Sequence, residues 1–93
     1  MYVKLQPKRD DSSPVAAYGY KLMTDAFDVL VFSDNLEGYS AGGSYCVIKI
    51  GGIFEDDGLD MIRECIMNFW NKEDYQYQPD ELLSMQIVDS ILG

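Results

Sequence analysis

The side chains of this 93-residue chain most able to do chemistry are its carboxylates: sixteen aspartates and glutamates stand against seven lysines and arginines, with no histidine. Without histidine there is no Ser-His-Asp or Cys-His relay and no imidazole to hold a metal. Gly42-Gly43 lacks the Gly-Lys-Ser/Thr ending of a phosphate-cradling loop and reads as a hairpin turn. Two carboxylates can share acid–base work, yet no pair is singled out by its spacing. Placing Gly58 on the invariant glycine of an EF-hand loop aligns Glu64, Asp57 and Glu55 with ligand positions. The first ligand position then falls on Ile53, which cannot coordinate calcium. The chain therefore reads as non-enzymatic, with no catalytic residue, no metal and no cofactor.

The acids are unevenly placed. Residues 1–21 hold four bases against two acids, whereas residues 55–93 hold ten acids against Arg63 and Lys72, and the whole chain carries −9. Such a field repels nucleic acid and anionic membrane and favours a basic protein surface. Direct nucleic-acid binding is disfavoured because phosphate contacts need clustered Lys and Arg. Asp57, Asp60 and Glu64 recur at i, i+3 and i+7, which sets them on one stripe of a helix. Asp56 and Glu55 extend the stripe at one end, Glu73 and Asp74 follow it, and Asp80 and Glu81 come next. A solvated helix face accounts for these acids. A negative ridge facing a nucleic-acid-binding protein accounts for them too, since duplex DNA is itself a row of closely spaced charges.

The elements that must position these acids divide by period. Met1, Val3 and Leu5 alternate with polar residues as a strand; Val15–Met23 and Phe27–Phe32 read as two more, and Tyr45–Ile50 as a fourth. Asn35 to Ser44, with three glycines, reads as a loop. Leu59, Ile62, Ile66, Phe69 and Trp70 recur at helical spacing behind Asp57 as N-cap. Pro79-Asp80-Glu81 opens a last helix running to Leu92, with a broad apolar face of Leu83, Ile87 and Ile91. Strands followed by helices indicate an α+β fold: one antiparallel sheet of three to four strands, then two helices packed on one face. One domain is expected over 1–93, with a strand-rich part (1–54) and an acidic two-helix part (55–93).

Cys46 and Cys65 sit in apolar patterns and read as core residues in a reducing cytoplasm. No apolar run approaches the roughly 20 residues of a membrane span, and no signal peptide opens the chain. Seven tyrosines are present, and Tyr39, Tyr75 and Tyr77 fall in predicted loops, where tyrosine serves as an interface anchor.

Residues 44–88 resemble small phage-encoded anti-CRISPR proteins that inhibit type II RNA-guided nucleases. The likeness lies in the Tyr45-Cys46-Val47-Ile48 strand, the acid-led amphipathic helix ending in Phe69-Trp70-Asn71, the Glu73-Asp74-Tyr75 connector and the acid-opened last helix after Pro79. Gln76-Tyr77-Gln78 interrupts the acidic run, and the chain opens with strands where such a relative opens with a helix. The resemblance implies a DNA-mimicking inhibitor of a basic nuclease in the host cytoplasm. Asp56, Asp57, Asp60, Glu64, Glu73 and Asp74 would then stand in for phosphates or base-edge acceptors, with Tyr75 packed beside them. The other expectation is an interaction module, immunity-like or a homodimer through Leu83, Ile87 and Ile91, in which acidity serves solubility.

Overall fold

A computed structural model describes residues 1–32, 36–51 and 57–92. The elements run β1 (Tyr2–Pro7), α1 (Pro14–Val31), β2 (Leu36–Ala41), β3 (Cys46–Ile50), α2 (Gly58–Phe69), α3 (Lys72–Tyr75), α4 (Pro79–Leu82) and β4 (Leu83–Val88). The four strands form one antiparallel sheet in the order β2-β3-β1-β4. Strands β1 and β2 both run antiparallel to β3 and so parallel each other, with α1 crossing between them; β3 and β4 are likewise joined through α2. This is the split β-α-β order. The chain is α+β as its composition of elements implied, but the two halves interleave within one sheet.

Register decides which residues meet the helices, because directly paired residues share a face. Val3 pairs with Ile48 and Ile87, and Leu5 pairs with Cys46 and Met85. That face joins Leu22, Met23, Ala26 and Leu30 of α1 and Ile62 and Ile66 of α2 in one core cluster. Each fully buried Leu or Ile contributes about 1.5–3 kcal/mol. Both longer helices thus pack on one face. The other face shows Tyr2, Lys4 and Lys49, with Lys4 Nζ 4.5 Å from the centre of the Tyr45 ring.

Three sequence expectations give way. The segment expected as two strands, Val15–Met23 and Phe27–Phe32, is the single helix α1. Its buried residues Ala16, Gly19, Leu22, Met23, Ala26 and Leu30 follow the helical period. Ser13 caps it by accepting the Ala16 N–H at 3.3 Å, and Pro14 occupies its first turn. The glycine-containing stretch within 35–44, expected as a loop, includes β2, and Gly42 closes the hairpin by donating its N–H to the Tyr45 carbonyl at 2.8 Å. The last helix ends after one turn. Pro79 does start it, and Glu81 accepts the Gln78 N–H at 2.8 Å as in a capping box, but residues 83–88 are strand β4.

That last change dissolves the broad apolar helix face. Leu83 is buried in the core, and Ile87 projects exposed from β4. Ile91 lies against β2, where Ser40 Oγ donates to its carbonyl. The three residues form no common row, so a homodimer through a Leu83-Ile87-Ile91 helix face has no structural basis.

Candidate acidic interface

Helix α2 positions the central acids. Its inner side buries Ile62 and Ile66, which leaves Asp57, Asp60 and Glu64 exposed on the opposite side. At 1.5 Å per residue the three carboxylates span about 10 Å of helix axis. Asp57 stands at the N-cap without making a side-chain cap bond, so its carboxylate is presented outward. Asp60, in the first turn, lies 3.4 Å from the Arg63 guanidinium, an exposed pair of small energetic weight. Acids here also complement the positive end of the helix. Asp56 lies outside the described residues.

Beyond Trp70 the backbone turns sharply. Asn71 Oδ1 accepts the Glu73 N–H at 3.0 Å and opens the single turn α3. Gln76 closes it with φ 60°, a left-handed conformation at the helix end. Glu73 and Asp74 are exposed on this turn.

Tyr75 is not an exposed anchor. It is 2% exposed and belongs to the core cluster. Its hydroxyl donates to Asp25 of α1, and Lys21 Nζ sits 4.2 Å from the ring centre while also binding Asp25 at 3.0 Å. A single turn of polar chain cannot bury its own ring, so α3 docks onto α1 through this residue. Tyr75 therefore positions Glu73 and Asp74 from beneath. The sequence holds no signal for Asp25 or Lys21 as its partners, because the contact spans 50 residues and the α1 segment reads locally as strands. Tyr77 is half-buried against Tyr18, ring centres 5.7 Å apart, and its carbonyl accepts the Trp70 indole N–H at 3.0 Å. Tyr39 is exposed on β2 and meets Phe27 edge-on.

The carboxylates with shifted acidity lie elsewhere. Burial pushes Asp25 up, but hydrogen bonds from Tyr75 and Lys21 together with the Lys21 charge outweigh it, and the net shift is downward. The Ser13 side chain and backbone, with Arg9, hold Asp11 below the usual range. Both favour the ionised form, whereas a general acid near neutrality needs the opposite shift. Among the described residues no polar or charged side chain is buried, and no three Cys, Asp or Glu converge as a metal site. What the surface presents is fixed negative charge.

The helical layer carries most of the exposed acids together with Lys21, Arg63 and Lys72. The exposed acids Asp57, Asp60, Glu64, Glu73, Asp74 and Asp80 belong to the helical elements. Lys4 and Lys49 lie on the opposite face of the sheet, the latter 3.5 Å from Glu37. That split was legible in the alternation of Val3 and Leu5 with Tyr2 and Lys4. No helix among the described residues is long and apolar enough to cross a membrane. No protein-family model, curated protein or solved structure matches the chain.

Proposed function

We propose that this protein is a non-enzymatic inhibitor that engages a basic, nucleic-acid-binding protein through the carboxylates of α2 and α3. The row of Asp57, Asp60 and Glu64, exposed along one helix face, carries this reading. Its three charges over about 10 Å are somewhat sparser than one DNA strand, which carries one charge per ~3.4 Å of axis. Glu73 and Asp74 add exposed carboxylates on the turn that Tyr75 anchors to α1. Lys4 and Lys49 lie on the far side of the sheet, while Arg63 beside Asp60, with Lys21 and Lys72, dilutes the negative field of the helical side without cancelling it. The resemblance of residues 44–88 to anti-CRISPR proteins supports an RNA-guided nuclease of the bacterial cytoplasm as the target.

Tagged protein incubated with a bacterial lysate, then washed at low and high salt with duplex DNA as competitor, tests this function. A nucleic-acid-binding protein held at low salt and released by both treatments supports charge mimicry. A partner that withstands both salt and duplex speaks against it.

A further inference from the structure

The two edges of the sheet are built differently. Strand β2, at one edge, carries a register irregularity between Leu36 and Gly38, and Ile91 lies beside it. Bulges and covering chain are devices that stop an edge from pairing with another molecule. Among the described residues, strand β4 at the other edge has none of them. Its sequence Leu-Ser-Met-Gln-Ile-Val contains no charge and no proline, and its six residues pair with β1 without a shift in register.

The free backbone groups of β4 can be assigned. The Lys8 N–H donates to the Leu82 carbonyl at 2.9 Å, extending the β1–β4 ladder by one pair. Alternation then turns the N–H and C=O of Ser84, Gln86 and Val88 toward β1, and those of Met85 and Ile87 outward. The Leu83 N–H is already bound to the Pro79 carbonyl. Beside this edge Ile87 is 57% exposed and Met67 of α2 is 53% exposed. The groove between α2 and β4 is lined by Ile66, Met67, Leu83 and Met85, with one cation, Arg63, and one anion, Asp80.

We propose that two copies of the chain pair antiparallel through the outer edges of β4, joining their sheets into one continuous layer. A two-fold axis normal to the sheet keeps both helical layers on one side, and it allows only registers in which paired residues share a face. The register that uses donors still free in the monomer sets Met85 opposite Ile87 of the second copy, and Ile87 opposite its Met85. Each pair exchanges two N–H···O bonds, and Gln86 meets its own copy at the axis in a non-hydrogen-bonded pair. The alternative register, Met85 opposite Met85, asks for the Leu83 N–H that α4 already holds. Met85 and Ile87 both lie on the core face, so the pairing covers the exposed Ile87 and continues the apolar groove across the axis. The second copy is the occupant that fits this edge: its own Met85 and Ile87 present the same outward N–H and C=O groups, which the two-fold axis sets opposite one another on an uncharged strand. Each copy carries −9, so net repulsion opposes the pairing and added salt tightens it.

Sedimentation equilibrium at low and high salt tests the proposal with the wild-type chain, Ile87→Lys and Gln86→Cys. The expected result is a dimer for wild type, tighter at high salt, and a dissociation constant raised about tenfold or more by Ile87→Lys, which sets two like charges near the axis. Ile87 is exposed, so the substituted monomer retains its circular dichroism and melting temperature. Gln86→Cys is expected to form a disulfide-linked dimer on mild oxidation, since non-hydrogen-bonded pairs bring Cα atoms to about 4.5 Å, within disulfide range. A wild-type chain that stays monomeric at high concentration in high salt overturns the proposal. So does a dimer that Ile87→Lys leaves intact, or one in which Gln86→Cys does not cross-link.

Discussion

Gly19 sits in the middle of α1, and two physical effects give opposite signs for its replacement by alanine. Helix propensity alone favours alanine over an interior glycine by about 0.8–1.0 kcal/mol. The surroundings of Gly19 argue the reverse. A Cβ built there lies 2.8 Å from the Leu82 carbonyl oxygen and 3.3 Å from Pro7 Cβ. The first contact is with backbone, and that same oxygen accepts the Lys8 N–H. Relief requires α1 to move off the α4–β4 junction. Overpacking of this kind costs about 1–3 kcal/mol, and weakening the Lys8 bond adds roughly 1 kcal/mol. Gly19→Ala is therefore expected to destabilise by about 1–3 kcal/mol net, lowering the melting temperature by about 4–8 °C per kcal/mol at this chain length. Urea denaturation at neutral pH gives the free energy, and Ala17→Gly, at an exposed position of the same helix, calibrates propensity alone. A Gly19→Ala protein as stable as wild type, or more so, refutes the close approach and with it the seating of α1 on α4.

The Tyr75–Asp25 contact gives two linked expectations. Tyr75→Phe loses a bond to a carboxylate that is part open to solvent, destabilising the fold by about 1 kcal/mol. Burial, then the Asp25 acceptor, raises the Tyr75 hydroxyl above its usual acidity range, so its contribution is complete below pH ~10 and declines as pH rises beyond that. Asp25 is shifted the other way, so its contribution is present above pH ~4 and declines below it. Denaturation midpoints against pH for wild type, Tyr75→Phe and Asp25→Asn separate the alkaline and acid limbs, and identical curves would contradict the contact. Burial pushes the Cys46 thiol up to about 12 and raises that of Cys65 as well. A thiol reagent at pH 8 is expected to modify half-buried Cys65 slowly and Cys46 only as fast as the chain unfolds; rapid labelling of both would refute their packing.

The parts legible in the sequence were those where propensity and burial period agree. Val3 and Leu5 alternate in β1, Cys46 to Ile50 form a short β-branched run, and Ile62 and Ile66 recur as helix α2 requires. The segment 14–31 misleads because Val15, Tyr18, Tyr20, Phe27, Val29 and Val31 favour strands, while its buried positions keep helical spacing. Tertiary burial wins over local preference there, and Ser13-Pro14 is the cap signal that marks it. Leu83, Met85 and Ile87 satisfy a strand period, and with Ile91 a helical one; the free side of β1 selects the strand. The acids at 57, 60, 64, 73 and 74 come out exposed because they lie on polar stripes and turns. Tyr75, their neighbour, is buried because its partner Asp25 is remote in the chain, and spacing carries no information about such a contact.

Capture from a bacterial lysate with wild type and with the triple variant Asp57→Asn, Asp60→Asn, Glu64→Gln, run side by side, tests the proposed function most directly. All three positions are exposed on α2, so the variant is expected to keep its fold. Each lost contact of this kind weakens binding by about 0.2–1 kcal/mol, more where the interface excludes water, so the affinity falls by roughly tenfold and the salt dependence flattens. The expected result is a nucleic-acid-binding protein on the wild-type resin, displaced by duplex DNA, and little of it on the variant. Equal retention of the same protein by both, at every salt concentration, would contradict it.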